Sequence, residues 1–315
     1  MKHFIHTGEY TPDELESLIW GAIQNKGKRS TELAGKSVAL IFFNSSLRTR
    51  SSFEVAIAQL GGHSVTLEVG NGVWDLEFLE GAVMDGKKAE HIKDAARVLS
   101  RYFDAICVRS FPKLQNLAED LEDPIVEAFR QYSSVPVINL ESALYHPCQA
   151  MADVMTIKEK FGQTSGVKVA LSWAYHIKAL PTSVANSFAV ATHQMGCELT
   201  IVAPPGFPLP EPVMAQLPGV KIVHDQSVLK DQQVVYAKSW GSLLDYGTPP
   251  PETLRNWMIT LEKLGTAKFM HCMPLRRNVE IADDVMESTQ NLCYDEAENR
   301  LHIQKEILRA LIGPR

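Results

Sequence analysis

The sequence predicts an α/β protein made of two doubly wound parallel-sheet domains. Three observations carry that prediction. Apolar runs of strand length recur along the chain, and residues apolar at consecutive positions suit a strand buried on both faces. Helical patterns separate most of these runs, the alternation that builds parallel sheets. The 315 residues, 45% of them hydrophobic, suffice for two cores rather than one.

The elements follow in order. Thr11-Pro12-Asp13-Glu14 sets an N-cap, a proline at the first helical position and acids in the first turn, so a helix is expected over Thr11 to Lys26. Ser37 to Phe43 reads as the first strand, broken by Asn44-Ser45-Ser46. A helix follows over Ser51 to Leu60, ended by Gly61-Gly62. Further strands are expected at Ser64 to Val69, Ala105 to Val108, Val135 to Asn139, Val167 to Trp173, Glu198 to Ala203, Val220 to Val223, Val234 to Ala237 and Phe269 to Cys272. The chain passes between domains near Glu141 to Ala150, which gives a first domain over residues 1–145 and a second over 146–295. The last helix, from Asp295 to Leu311, has no place in the second sheet's order, so residues 296–315 are expected to pack back on the first domain. Gly35-Lys36-Ser37 imitates the end of a phosphate-binding loop, but Ser30 stands where that loop needs glycine and the triplet precedes a strand.

Composition narrows the function. The formal net charge of −6 speaks against a nucleic-acid footprint while leaving a local anion site open. Five dispersed cysteines without a C-x-x-C pair imply neither a disulfide framework nor a structural zinc site. Met1 to His6 lacks a signal-peptide core, and eighteen apolar residues nowhere run together, so a soluble cytoplasmic protein is expected.

Three clusters carry chemistry. Ser46-Leu47-Arg48-Thr49-Arg50 follows an apolar strand and opens a helix, so backbone N–H groups, hydroxyls and guanidinium groups face one spot suited to a phosphate. An N-cap with solvated arginines explains it equally well. His146-Pro147-Cys148-Gln149 follows another apolar run. Its proline fits a first helical turn, with the histidine just outside the helix and Gln149, which can donate and accept, one turn in. His271-Cys272-Met273-Pro274-Leu275-Arg276-Arg277-Asn278 sets a thiol and paired arginines at a strand end, which suits an amine nucleophile on an anionic substrate. A buried cysteine beside surface charges is the plainer account.

Taken together, S-x-R-T-R, H-P-x-Q and H-C-x-P in this order resemble the aspartate/ornithine carbamoyltransferase family over the whole chain. The resemblance implies a carbamoyl phosphate domain, an amino-acid domain, and direct transfer with no metal, cofactor or covalent intermediate. It implies that Ser46, Leu47, Arg48 and Thr49 hold the phosphate, with Arg300 nearby. Thr49, Arg109 and His146 would face the carbamoyl oxygen, and Gln149 the carbamoyl nitrogen. Cys272 and Met273 would contact both substrates, with Cys272 and nearby carbonyls orienting the attacking amine. Donors placed where charge grows stabilise the transition state more than the ground state.

The acceptor follows from departures within the family. Cys272 stands where aspartate enzymes carry proline, which points to an ornithine-like amine. The D-x-x-x-S-M-G motif of ordinary ornithine enzymes is replaced by Val235-Tyr236-Ala237-Lys238-Ser239-Trp240-Gly241. That stretch, with Trp173, His176, Asn186-Ser187 and Glu298 to Leu301, resembles the N-acetylornithine and N-succinylornithine branch. There Glu141, His176 and Lys238 would contact the ornithine part and Arg276 the acyl side. Trp74 and the Asp85 to His91 loop would reach a neighbour's site in a homotrimer, and the loop around His176 to Thr182 would form a knot. Ala89 aligns where acetyl-specific relatives have glutamate and succinyl-specific ones proline. Alanine admits a second carboxylate, which favours succinyl, while Glu280 adds negative charge near the pocket. The rivals are an ordinary ornithine carbamoyltransferase, a non-catalytic anion-binding paralogue and a nicotinamide enzyme, the last opposed by the missing glycine fingerprints.

Overall fold

The computed structural model describes residues 2–314. Its strands are β1 Ser37–Phe42, β2 His63–Glu68, β3 Leu76–Glu77, β4 Glu90–His91, β5 Ala105–Arg109, β6 Val137–Glu141, β7 Lys168–Trp173, β8 Glu198–Val202, β9 Lys221–Val223, β10 Val234–Lys238 and β11 Lys268–Met270. Every expected strand forms, and the short pair β3 and β4 is an addition. The first sheet runs β2-β1-β5-β6 and the second β11-β10-β7-β8-β9, all pairs parallel. The two doubly wound sheets are thus present.

Local chemistry explains the helix starts. Thr11 caps Pro12–Gln24 through a reciprocal capping box with Glu14. The next helix spans Leu47–Gln59, four residues earlier than the expected start at Ser51, because Ser46 is the N-cap and its Oγ accepts from Thr49 N at 3.2 Å. Gly35 takes φ 79° in the turn before β1, and Lys36 pairs with Asp104, so this triplet is a turn.

Apolar side chains fill both faces of each sheet. Val38, Leu40, Cys107 and Leu140 of the first sheet share a cluster with Met151 and Val154 of the Pro147–Phe161 helix, and with Ile303 and Ile307 of the final helix, Cys293–Ile312. Ala39, Ile41 and Val108 face the opposite way, onto Ala96 and Phe129. The second sheet packs Val169, Leu171 and Val235 against Phe188 of the Ser183–Gln194 helix and Trp257. The loop after β7 meets the one after β10, where Gly241 N donates to Leu180 O at 2.9 Å. No helix among the described residues is long and apolar enough to cross a membrane.

Candidate active site

Parallel strands deliver their C-terminal ends to one edge, and there the site forms. β1 leads to Ser46 and Thr49, β5 ends in Arg109, β6 ends in Glu141, β10 ends in Lys238, and β11 leads to His271 and Cys272. The register between β5 and β6 shifts after Val108, which sets Arg109 opposite Glu141.

Thr49 is the hub. Its buried Oγ1 accepts from Arg300 Nη2 at 2.6 Å and from Arg109 Nη1 at 3.4 Å. Arg109 Nη1 also donates to Glu141 Oε2 at 2.5 Å, and its guanidinium lies over the Phe111 ring. The other Glu141 oxygen accepts from Ser183 Oγ at 3.2 Å. The Nε–H groups of Arg48, Arg109 and Arg300 are buried without a hydrogen-bond partner among the described residues. The ammonium of Lys238, a residue 9% exposed, makes no hydrogen bond or ion pair among those residues either. Buried donors are almost always satisfied, so this surplus of cationic donors marks the seat of an anion.

His146 packs into the same cavity, with Nε2 3.5 Å from Glu141 Oε2 and Nδ1 unpartnered. Its backbone N–H donates to Ser187 Oγ at 2.7 Å, which anchors the turn to the second sheet's helix. Burial, and then Arg300, Arg109 and Lys238, hold its imidazole well below the ordinary histidine value, so it is neutral. Gln149 Nε2 donates to Asp153 Oδ1 at 2.7 Å and Glu296 Oε1 at 2.8 Å, while its Oε1 is buried and free. The Cys272 thiol is raised by burial, with Lys238 opposing, so it stays protonated at neutral pH and is no ready nucleophile. Met273 follows at φ 49°, a left-handed conformation rarely taken by a long side chain.

A second group lies toward the second sheet, after β7 and β11. Arg276 Nε donates to His176 Nε2 at 3.0 Å, and His176 Nδ1 lies 3.0 Å from Lys178 N and 3.1 Å from Lys178 O. Glu280 is buried and accepts from Arg276 N at 2.7 Å, with His271 Nε2 3.7 Å from its other oxygen. Burial would raise the Glu280 carboxyl, but His271, Lys238 and the Arg276 N–H together hold it below the usual range; burial keeps His271 itself neutral.

The remaining sequence candidates stand apart. Leu47 is 77% and Trp74 59% exposed, Trp74 Nε1 donates to Glu90 Oε2 at 2.8 Å, and Ala89 is exposed beside it. No hydrogen bond joins Trp74 or Ala89 to the Thr49 cluster among the described residues. Arg50 turns away to Glu54 and Glu68. Sequence reasoning missed Asp153 and Glu296. The available signal was spacing: Asp153 lies four residues after Gln149 and Glu296 four before Arg300, the separation that shares a helix face.

Comparisons with known proteins agree with this geometry. The model of the aspartate/ornithine carbamoyltransferase carbamoyl-P binding domain matches residues 2–159, and that of the Asp/Orn binding domain matches 165–311. The chain is 43% identical to the N-acetylornithine carbamoyltransferase of Xanthomonas campestris pv. campestris, over 99% of this chain and 98% of that one. It is 37% identical to the N-succinylornithine carbamoyltransferase of Bacteroides fragilis, over 88% and 87%. The fold superposes with TM-score 0.96, at 43% identity and over 99% of this chain and 100% of the other, on an N-acetyl-L-ornithine transcarbamylase carrying one glutamate-to-alanine change, in complex with carbamyl phosphate and N-succinyl-L-norvaline. With both domains matched and the relatives aligned nearly end to end, the chain belongs to the aspartate/ornithine carbamoyltransferase family and is a carbamoyltransferase.

Proposed function

We propose that the chain transfers the carbamoyl group of carbamoyl phosphate to the side-chain amine of an N-acylated ornithine, giving an N-acylcitrulline and phosphate in arginine synthesis. The observation that carries this reading is the set of partnerless guanidinium N–H groups of Arg48, Arg109 and Arg300 around Thr49. Ser46, Leu47, Arg48, Thr49 and Arg300 bind the phosphate. Arg109, the Thr49 hydroxyl and neutral His146 donate to the carbamoyl oxygen as the amine attacks and charge grows there. The free Oε1 of Gln149 accepts from the carbamoyl nitrogen. Nitrogen bonds to the carbamoyl carbon, the C–O bond to phosphate breaks, and the departing phosphate takes the amine's proton. Cys272 and Met273 border the amine, Glu141, His176 and Lys238 the ornithine part, and Arg276 the acyl group.

Two supports bear on the acyl group. The 43% identity with the acetyl enzyme against 37% with the succinyl one favours acetyl. Ala89 favours succinyl, because at the position expected to border the acyl group it leaves space and adds no charge, and a relative carrying one glutamate-to-alanine change was solved with N-succinyl-L-norvaline. We propose a cytoplasmic homotrimer in which Trp74 and Ala89 complete a neighbour's site, a reading supported by exposed Leu47, Trp74, Leu79 and Val83.

The experiment is carbamoyl transfer to ornithine, N-acetylornithine and N-succinylornithine side by side. Turnover of an acylated acceptor alone is expected. Turnover of free ornithine alone would favour an ordinary ornithine enzyme, silence with all three would favour a non-catalytic scaffold, and full activity in R48A would overturn the phosphate-binding role of Arg48.

A further inference from the structure

We propose that Asp153 and Glu296 are positioning residues that hold the Gln149 amide with its oxygen toward the cleft and brace it against the segment carrying Cys272. The inference rests on the reading above, in which Gln149 meets the carbamoyl nitrogen. A glutamine amide offers a donor end and an acceptor end of nearly equal shape, so something must choose between them. Here two carboxyl groups flank one end. Asp153 Oδ1 lies 2.7 Å and Glu296 Oε1 2.8 Å from Gln149 Nε2, and only an NH2 can satisfy both. The oxygen is therefore driven to the other side, where it is buried and unpartnered, the acceptor that a carbamoyl NH2 requires. Glu296 does more. Its second oxygen accepts from His271 N at 2.9 Å, so one carboxyl links the Pro147–Phe161 helix to the strand end that leads into Cys272.

Two ionised carboxylates could not sit so close and so deeply buried, at 0% and 1% exposure. Burial raises Asp153 to about 7, although the hydrogen bond from Gln149, the neighbouring Glu296 and Tyr236 and the charge of Arg300 oppose the shift. Burial, then Asp153 and Cys272, raise Glu296 well above the carboxylate range, opposed by the His271 N–H. Tyr236 from β10, Cys272 after β11, and Cys293 and Arg300 from the final helix complete the surroundings of the pair. At neutral pH the pair keeps one proton between its members, and it titrates as a unit.

Side-chain variants of the full-length enzyme separate positioning from mere packing. In D153N the new amide oxygen still accepts from Gln149 and its NH2 replaces the shared proton. Its kcat should stay near that of wild type, and it should keep a larger share of its activity as pH rises through the range in which wild type loses the shared proton. D153L removes the acceptor. E296Q must turn an NH2 toward either Gln149 Nε2 or the His271 N–H. Both should lose about tenfold to a hundredfold in kcat per folded enzyme, with the KM for the amine acceptor little changed. Folded, active-site-intact D153L and E296Q with wild-type kcat would overturn the inference. So would a D153N no better than D153L. Where E296Q does not fold, the contrast between D153N and D153L decides alone. Wild type silent toward all three acceptors would instead overturn the functional reading, before any variant is compared.

Discussion

Arg300 Nη2 donates to Thr49 Oγ1 at 2.6 Å, joining residues 251 positions apart. The final helix thereby reaches into the turn that opens the Leu47–Gln59 helix. Arg300→Met should keep the aliphatic stem and lose the charge and the hydrogen bond. Carbamoyl phosphate affinity is expected to fall about tenfold or more, read by calorimetric titration, and acceptor KM should move much less.

On the proposed reading, the Arg276–His176 contact addresses the other substrate. Arg276→Ala should raise the KM for the acylated acceptor by about tenfold while leaving carbamoyl phosphate affinity unchanged. Equal losses for both substrates would show that Arg276 supports the whole cleft rather than the acyl side.

Cys272 is kept as a thiol by burial. Alkylation by iodoacetamide should therefore be slow at pH 7 and still accelerating at pH 9, since only the thiolate reacts. Cys272→Ser should retain transfer within about tenfold of wild type, because direct transfer asks no covalent step of this side chain. Fast alkylation at neutral pH, measured by mass spectrometry, would contradict the protonated thiol.

Asp123 gives a stability test away from the chemistry. It is 6% exposed, and burial raises its carboxyl to about 6, although Ser142 and the N–H groups of Ala143 and Leu144 oppose the shift. A folded-state value above the unfolded one means that the native state holds the proton longer. The stabilisation is therefore complete below the unfolded value and is lost as pH rises through about 6. D123N removes this dependence. The Tm of wild type relative to D123N should be higher at pH 5 than at pH 8, and an unchanged difference would refute the assignment.

What the sequence disclosed was local or periodic. The capping box at Thr11 needs residues three apart, and the strands show as apolar runs, so both could be read directly. The start of β6 slipped for a local reason: it lies at Val137 rather than Val135, since Pro136 has no N–H to give a ladder. The strand ends bearing Arg109, Glu141 and Lys238 followed from the strands. Their partners did not. Gln149 to Glu296 and Thr49 to Arg300 depend on sheet order and on the return of the final helix, which no short window encodes.

Glu141 has its two oxygens committed to different halves of the molecule, one to Arg109 on the first sheet and the other to Ser183 at the head of a helix over the second. One carboxylate thus helps to fasten the cleft, beside the hydrogen bond from His146 N to Ser187 Oγ. Any rocking of one half against the other either turns about this fastening or breaks a buried hydrogen bond, at a cost of about 1 kcal/mol. A residue expected from the sequence to contact substrate therefore also ties the two halves together, and a change at Glu141 should alter how they meet.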